Sequence, residues 1–463
     1  MEILFTGDKL FEMKEKIAIV VLGCPKNEVD AEVLTGELSA KGFLITSNIE
    51  NADYIVIFTC SFIKDAVEEA VDTILELSLL NKKIIVTGCL VSRYGIDKLQ
   101  KLLPEVVKFF GTYNYMDIIN FLLNNQYKPS HTERFIYSRK NFRILNSSFA
   151  YVKISEGCSN RCSFCTIPSI KGNLFSRKSD DIIDEVKYLT DEKGINEIIL
   201  ISQNSGDYGK DLNKTENLNN LLKKILNIKT LKWLRVLYTY PDFINDEFLE
   251  LTTHEKFCNY LEIPIQHIDN EILKKMNRKS SEKDIRRILD KIKTSFPEIF
   301  LRTSLIVGFP GETESKFKKL SEFIKEYKFY NLGCFIYSPE EGTKAAKMKP
   351  QINEKTKSER FKEIMLLQKK IVKDINVSLL HKNFKALITG YSEESELLLQ
   401  GRTEFQLPDI DGKTFITKGF IEKQGIYEIK ITDFKDYDLI GEIIEPNNTI
   451  KNGSFQKRVG KIF

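Results

Sequence analysis

No stretch of this 463-residue chain is apolar for long enough to cross a bilayer, and its start lacks the hydrophobic core of a secretory signal. Both absences point to a cytoplasmic protein with no membrane partner. Charge of one sign is scarce as well. The formal net charge is +4 at pH 7, which permits contact with nucleic acid without demanding it. Eight cysteines without a secretory signal do not read as a disulfide framework; they read as reduced thiols used as metal ligands. Histidine is rarer still, with four in the chain.

What is present is organised around Glu156-Gly157-Cys158-Ser159-Asn160-Arg161-Cys162-Ser163-Phe164-Cys165. Cys158, Cys162 and Cys165 stand in C-x3-C-x2-C spacing on a loop after the strand expected at Tyr151–Ser155. A compact loop of this kind aims three thiolates at one corner of a cluster. A [4Fe–4S] cluster is closed only when each iron has a thiolate, so three leave one iron open to a small molecule. A structural zinc site would want a fourth Cys or His at compatible spacing, and none is near.

Upstream, strands are expected at Ile17–Leu22, Tyr54–Phe58 and Lys83–Val86, with helices at Val29–Lys41 and Asp65–Leu79. Strand, turn and helix in repetition predict an α/β domain with a doubly wound parallel sheet, whose carboxyl-end loops gather at one edge. Those loops carry Cys24, Cys60 and Cys89. Any one alone reads as a buried small hydrophobe. Three at the same topological position point to a second cluster, with Gly23 and Gly88 letting the backbone turn tightly beside it. A polar connection over Asn124–Ser148 follows.

From Tyr151 to Tyr337, strands and helices alternate at the rate of a (β/α) barrel, whose site lies at the carboxyl ends of the strands. Polar residues fall at those ends, among them Gln203, Gln266 and His267, which are candidate cofactor contacts. His267 reads equally well as a cap on the strand end. In Val307-Gly308-Phe309-Pro310-Gly311-Glu312-Thr313, Gly308 and Gly311 would admit close approach of a bound group, unless this is an ordinary β-to-α turn. Cys258 and Cys334 lack metal-like partners and read as core. After a charged helix at Asn353–Val377, five short strands between Phe384 and Ile444 predict a small antiparallel β-barrel. Its basic residues, Arg402 among them, are at least matched by acidic ones, which suits a basic protein partner better than bare RNA. The tail from Pro446 has the composition of a disordered end, and Met13 is an alternative start to Met1.

The C-x3-C-x-F-C loop resembles the signature of radical S-adenosylmethionine enzymes. Together with Cys24, Cys60 and Cys89 in an α/β unit and a terminal β-barrel, it resembles the radical S-adenosylmethionine methylthiotransferases over nearly the whole chain. Leu22-Gly23-Cys24-Pro25-Lys26-Asn27-Glu28-Val29-Asp30 is similar to the opening of the RimO branch, and so are Gly88–Tyr94, Tyr337–Thr343 and Pro408–Gly412. Ser202-Gln203-Asn204 departs from it, since Asp usually follows the Gln. The resemblance implies a methylthiotransferase α/β domain at 14–125, a radical S-adenosylmethionine (β/α) barrel at 144–378 and a TRAM β-barrel at 379–446. It implies two [4Fe–4S] clusters and S-adenosylmethionine as cofactors, with no catalytic side chain assigned. The implied reaction is methylthiolation of an aspartate of ribosomal protein S-twelve, free or on the small subunit. A flavodoxin or ferredoxin would donate electrons, and RNA contact would be secondary. Two alternatives stand beside it: methylthiolation of adenosine next to the tRNA anticodon, and a non-catalytic iron–sulfur electron carrier. The carrier would need four cysteines per cluster.

Overall fold

The computed structural model describes residues 15–123, 147–213, 215–393 and 395–444. The start at Met1 or Met13, most of the connection after Asn124 and the tail from Pro446 lie outside them. By compactness the chain divides into Met1–Val372 and Lys373–Phe463.

The first unit opens with a five-stranded parallel sheet in the order β2-β1-β3-β4-β5, built from β1 (Lys16–Val21), β2 (Leu44–Ile45), β3 (Tyr54–Thr59), β4 (Lys83–Gly88) and β5 (Val106–Gly111). Helices α1 (Pro25–Ala40), α2 (Lys64–Ser78), α3 (Cys89–Tyr94), α4 (Ile96–Leu102) and α5 (Tyr115–Leu122) alternate with the strands. Side chains of a strand alternate between faces. Val56 and Phe58 therefore pack with Leu34, Leu38 and Ile118, while Ile55 and Ile57 pack with Ala70, Ile74 and Leu99. Burial on both faces explains why β3, Tyr-Ile-Val-Ile-Phe-Thr, is buried throughout. The order reverses direction between β1 and β3, so the crevice at their carboxyl ends is a topological switch point, where open α/β sheets bind ligands.

Helix α1 begins earlier than its periodicity indicates, and α3 is not among the expected helices. Helix α1 starts at Pro25 rather than Val29, because proline is favoured in the first turn, where its missing N–H costs nothing. Cys24 is thereby its N-cap. Cys89 opens α3 instead of sitting in a turn.

The remainder of this unit holds six parallel strands in two sheets. One has the order β10-β9-β6 and the other β11-β12-β13, from β6 (Phe149–Lys153), β9 (Glu197–Ile201), β10 (Trp233–Val236), β11 (Tyr260–Glu262), β12 (Phe300–Val307) and β13 (Asn331–Ile336). A short antiparallel pair, β7 (Ser155–Glu156) and β8 (Phe175–Ser176), brackets the cysteine loop. Phe257 bridges Leu234, and the Thr239 N–H donates to Glu262 O at 3.2 Å, joining the sheets into one arc with β6 and β13 at its edges. Helix α6 (Ile167–Ile170) continues the cysteine loop, and α7 (Ser179–Lys187), α8 (Leu218–Leu226), α9 (Asp246–Leu251), α10 (Asn270–Lys275), α11 (Glu282–Ser295) and α12 (Glu314–Tyr327) connect the strands. Helix α13 (Glu354–Leu379) follows.

The second unit is a closed barrel, β14-β15-β16-β18-β17, of β14 (Asn383–Ser392), β15 (Ser395–Thr403), β16 (Thr414–Lys418), β17 (Gly425–Lys435) and β18 (Asp438–Ile443). The expected small antiparallel barrel is present, with four of its five seams antiparallel and one, β16 with β18, parallel. An odd number of strands closed in a ring cannot alternate direction at every seam. Arg402 is buried, which removes one basic residue from the barrel's outer surface.

Candidate metal centre

Three loops bring the first triplet to the switch point. Gly23 has φ +99°, and a Cβ there would stand 2.5 Å from Cys60 Cβ, so only glycine lets the Cys24 and Cys60 loops approach so closely. Asn27, in the first turn of α1, donates from Nδ2 to Leu22 O at 2.8 Å and to Thr59 O at 3.2 Å. Thr59 Oγ1 donates to Thr87 O at 2.7 Å and accepts from the Leu90 N–H at 3.3 Å. These bonds staple the carboxyl ends of β1, β3 and β4 together. Burial pushes the Cys89 thiol up to about 12; Lys171 opposes the rise, and Cys24 and Cys60 add to it. Burial also raises Cys60, with the Phe62 N–H opposing and Cys24 adding.

The second triplet sits beyond the carboxyl end of β6. Gly157 has φ +69°, and a Cβ there would collide with the Asn173 carbonyl. The Cys158 N–H donates to Gly172 O at 3.0 Å. From outside, Asn277 Nδ2 donates to Asn160 O at 3.2 Å and Arg161 O at 2.9 Å, and the Ser163 N–H donates to Met276 O at 3.0 Å. Burial pushes Cys165 up to about 12, opposed by the Ile167 N–H and reinforced by Cys162 and Cys158. Burial raises Cys158 too, opposed by the Asn160 N–H. Backbone N–H groups aimed at sulfur favour thiolate and tune a bound cluster. Arg278 completes this loop: it stacks 3.8 Å over the Tyr240 ring, reaches Cys162 Sγ at 3.8 Å and donates to Pro264 O at 2.7 Å.

Bonds tie the surroundings of the two triplets together. Thr166 Oγ1, beside Cys165, donates to Phe62 O, beside Cys60, at 3.2 Å. Arg93, on α3, forms a buried ion pair with Glu340 at 2.9 Å, and Glu340 also accepts from the Lys64 N–H at 3.0 Å. Between the loops lies a buried charge cluster. Lys153 pairs with Asp30 and, at 2.5 Å, with Glu156, whose other oxygen lies 3.8 Å from Lys171 Nζ. Burial alone would raise the Glu156 pKa; Lys153, then Lys171, hold it below the usual carboxylate range.

Among the described residues, no three His, Cys, Asp or Glu side chains converge on a point that would hold a single ion. A cluster instead sets each thiolate on a different iron. The donor set of each loop, three thiols with glycine turns and N–H groups directed at sulfur, fits a cluster with one open iron. No disulfide links any of the eight cysteines, and Cys258 and Cys334 are buried.

The candidate cofactor contacts divide. Gln203 and Gln266 are half-buried at the carboxyl ends of β9 and β11, and Gln203 Oε1 has no hydrogen-bond partner. His267 is fully buried and its Nδ1 accepts from the Asp269 N–H at 3.0 Å, so its proton is on Nε2, which has no partner. Burial, then Lys316 and Lys319, push its pKa down to about 3, keeping it neutral. Gly308 and Gly311 follow the carboxyl end of β12; a Cβ at Gly308 would strike the Lys357 stem and one at Gly311 the Lys275 ammonium. Glu312 accepts from the Gly308 and Phe309 N–H groups, at 2.5 and 3.2 Å, and Phe309 packs edge-on against Phe164 of the cysteine loop, centroids 6.5 Å apart. The turn braces the metal loop. Periodicity did not single out Lys153, Lys171 or Arg278; a lysine inside an apolar strand was the available signal for the first.

Fold and thiol loops together define a radical S-adenosylmethionine enzyme with a TRAM domain. The chain matches the profiles described as "Radical SAM superfamily" over 152–324, "Uncharacterized protein family UPF0004" over 16–111 and "TRAM domain" over 382–444. In fold it is similar to the radical S-adenosylmethionine methyltransferase TsrM from Kitasatospora setae, with a TM-score of 0.53 at 14% identity, covering 72% of this chain and 77% of that one. In sequence it is similar to proteins named "Ribosomal protein uS12 methylthiotransferase RimO". That from Geotalea uraniireducens is 45% identical, covering 93% of this chain and 99% of the relative, and that from Aquifex aeolicus is 40% identical, covering 93% and 98%. The chain belongs to the RimO family of methylthiotransferases. It is an enzyme of the radical S-adenosylmethionine, sulfur-transferring type, and uses iron–sulfur and S-adenosylmethionine. No described helix is long and apolar enough to cross a membrane.

Proposed function

We propose that this chain methylthiolates an aspartate side chain of ribosomal protein uS12 in the cytoplasm, using two [4Fe–4S] clusters. The observation that carries the reading is the 45% identity over 93% of the chain to a protein named as a uS12 methylthiotransferase, joined to two cysteine triplets whose loops are hydrogen-bonded to each other. Cys158, Cys162 and Cys165 would hold the cluster that binds S-adenosylmethionine; Cys24, Cys60 and Cys89 would hold the second. Bound there, the groups supply reductive cleavage of S-adenosylmethionine and a sulfur that is methylated and transferred.

The chain's residues position and shield that chemistry. Gln203 and Gln266 offer amides from neighbouring strand ends, and neutral His267 offers its Nε2 proton. Gly308 and Gly311 would let S-adenosylmethionine approach the backbone after β12. Tyr240 stacked on Arg278 walls one side of the S-adenosylmethionine loop, and Tyr238, whose ring Lys26 Nζ overlies at 4.1 Å, lines the way to Cys24. The terminal barrel would hold the basic ribosomal protein, with RNA contact secondary, and a flavodoxin or ferredoxin would reduce the clusters. The test is mass spectrometry after incubating the reconstituted chain with uS12, S-adenosylmethionine and a reductant. A methylthio group on an aspartate of uS12 is expected; modification of tRNA in its place would overturn the reading.

A further inference from the structure

Three successive residues after α10 hold the loop of Cys158, Cys162 and Cys165. Met276 O accepts from the Ser163 N–H at 3.0 Å, and Asn277 Nδ2 donates to Asn160 O and Arg161 O at 3.2 and 2.9 Å. Asn277 has φ +59°, the left-handed conformation with which a helix commonly ends. The chain reverses there, and the Arg278 N–H closes on Leu273 O at 2.9 Å. The Arg278 side chain then reaches a thiol itself, with Nη1 3.8 Å from Cys162 Sγ.

The guanidinium is fixed on its other sides. Nη2 donates to Pro264 O at 2.7 Å, beyond the end of β11, and the ring of Tyr240, beyond β10, lies 3.8 Å away in a stack. Among the described residues Arg278 pairs with no carboxylate; it meets a carbonyl, a ring and a sulfur. A planar guanidinium held in this way keeps its donors aimed and its charge in place. The carbonyl and the ring are neutral, so the negative charge within its reach is the sulfur's once Cys162 is a thiolate. Asn160 Nδ2, 3.7 Å from Cys158 Sγ, also donates to this triplet but is neutral, so the positive charge comes from Arg278.

Resting on the assignment of the S-adenosylmethionine cluster to Cys158, Cys162 and Cys165, we propose that Arg278 sets the reduction potential of that cluster. Its charged hydrogen bond to the Cys162 sulfur favours the reduced state, which carries one more negative charge. Net charge and hydrogen bonds to the sulfurs are levers by which a protein moves such potentials. Arg278 is a positioning residue: it acts through a ligand sulfur and eases entry of the electron where S-adenosylmethionine binds.

The test uses the full chain carrying Cys24→Ala, Cys60→Ala and Cys89→Ala, reconstituted with iron and sulfide. The single remaining cluster is titrated with titanium(III) citrate in the absence of S-adenosylmethionine. Adding Arg278→Met should make its one-electron reduction about tenfold less favourable, a fall in midpoint potential of about 59 mV. Arg278→Lys keeps the charge and should lower the potential by clearly less. Loss of the cluster in Arg278→Met with retention in Arg278→Lys would also support a requirement for charge. An unchanged potential in Arg278→Met, equal falls in both variants, or loss of the cluster in both would overturn the proposal. A parent variant that binds no iron would overturn the assignment of this cluster and the inference with it, an outcome distinct from iron bound at an unshifted potential.

Discussion

The two cysteine triplets are built in opposite ways. Cys158, Cys162 and Cys165 come from one loop, so their spacing alone brings them together. Cys24, Cys60 and Cys89 come from three loops, and only the order β1-β3-β4 makes them neighbours. The first site is a local device, braced from outside by Asn277, Arg278 and the Phe164–Phe309 contact. The second depends on the sheet, through Asn27 and Thr59. Damage to the sheet should therefore reach one site and largely spare the other.

The largest effect would come from removing ligands. Replacing Cys158, Cys162 and Cys165 by Ala should abolish 5′-deoxyadenosine formation, whereas replacing the other three should leave it while roughly halving iron and sulfide, since one of two clusters is lost. Chemical iron analysis and chromatography of the nucleoside read both; unchanged iron after loss of Cys24, Cys60 and Cys89 would break the comparison. Next in size is proton release. Cys89 and Cys165, both raised to about 12, are protonated thiols at neutral pH when metal is absent. Each must lose its proton to ligate iron, so iron affinity should rise with pH from 6 to 9. An affinity flat across that range would contradict it.

Smaller still is the effect of Asn27→Ala, which leaves Leu22 O and Thr59 O without the amide. It should cost about 1–3 kcal/mol in denaturant unfolding and lower iron content at the amino-terminal site more than at the other. Equal loss at both sites would show that the sheet supports them alike. Phe164→Leu sharpens the opposite case: by keeping bulk but losing the edge-on contact it should cost about 0.5–1.5 kcal/mol and weaken only the S-adenosylmethionine site, as its binding affinity would report.

The same contrast explains what the sequence made legible. C-x3-C-x2-C is readable without any fold, because loop geometry is local. Cys24, Cys60 and Cys89 became readable only once strand, turn and helix were seen to recur. Strand β5 completes the sheet, yet no cysteine-bearing turn follows it, so the recurrence that marks β1, β3 and β4 does not extend to it. The Gly308–Glu312 turn is legible as special from its two glycines, but its neighbours are not. Glycine there admits Lys357, and no periodicity reveals which distant side chain will occupy a space. Lys153, Lys171 and Arg278 were silent for a related reason: a buried charge is defined by partners far along the chain, such as Asp30 for Lys153. The parallel seam of the terminal barrel follows from closing five strands, a fact of topology that strand patterns do not carry.

The central claim is that two neighbouring triplets do different work on one substrate. It is tested most directly by the full chain carrying Cys24→Ala, Cys60→Ala and Cys89→Ala, reconstituted and supplied with uS12, S-adenosylmethionine and a reductant, with 5′-deoxyadenosine and methylthiolated uS12 measured in the same reaction. The account predicts that the nucleoside still forms and that uS12 gains no methylthio group; modified uS12, or loss of the nucleoside, would contradict it.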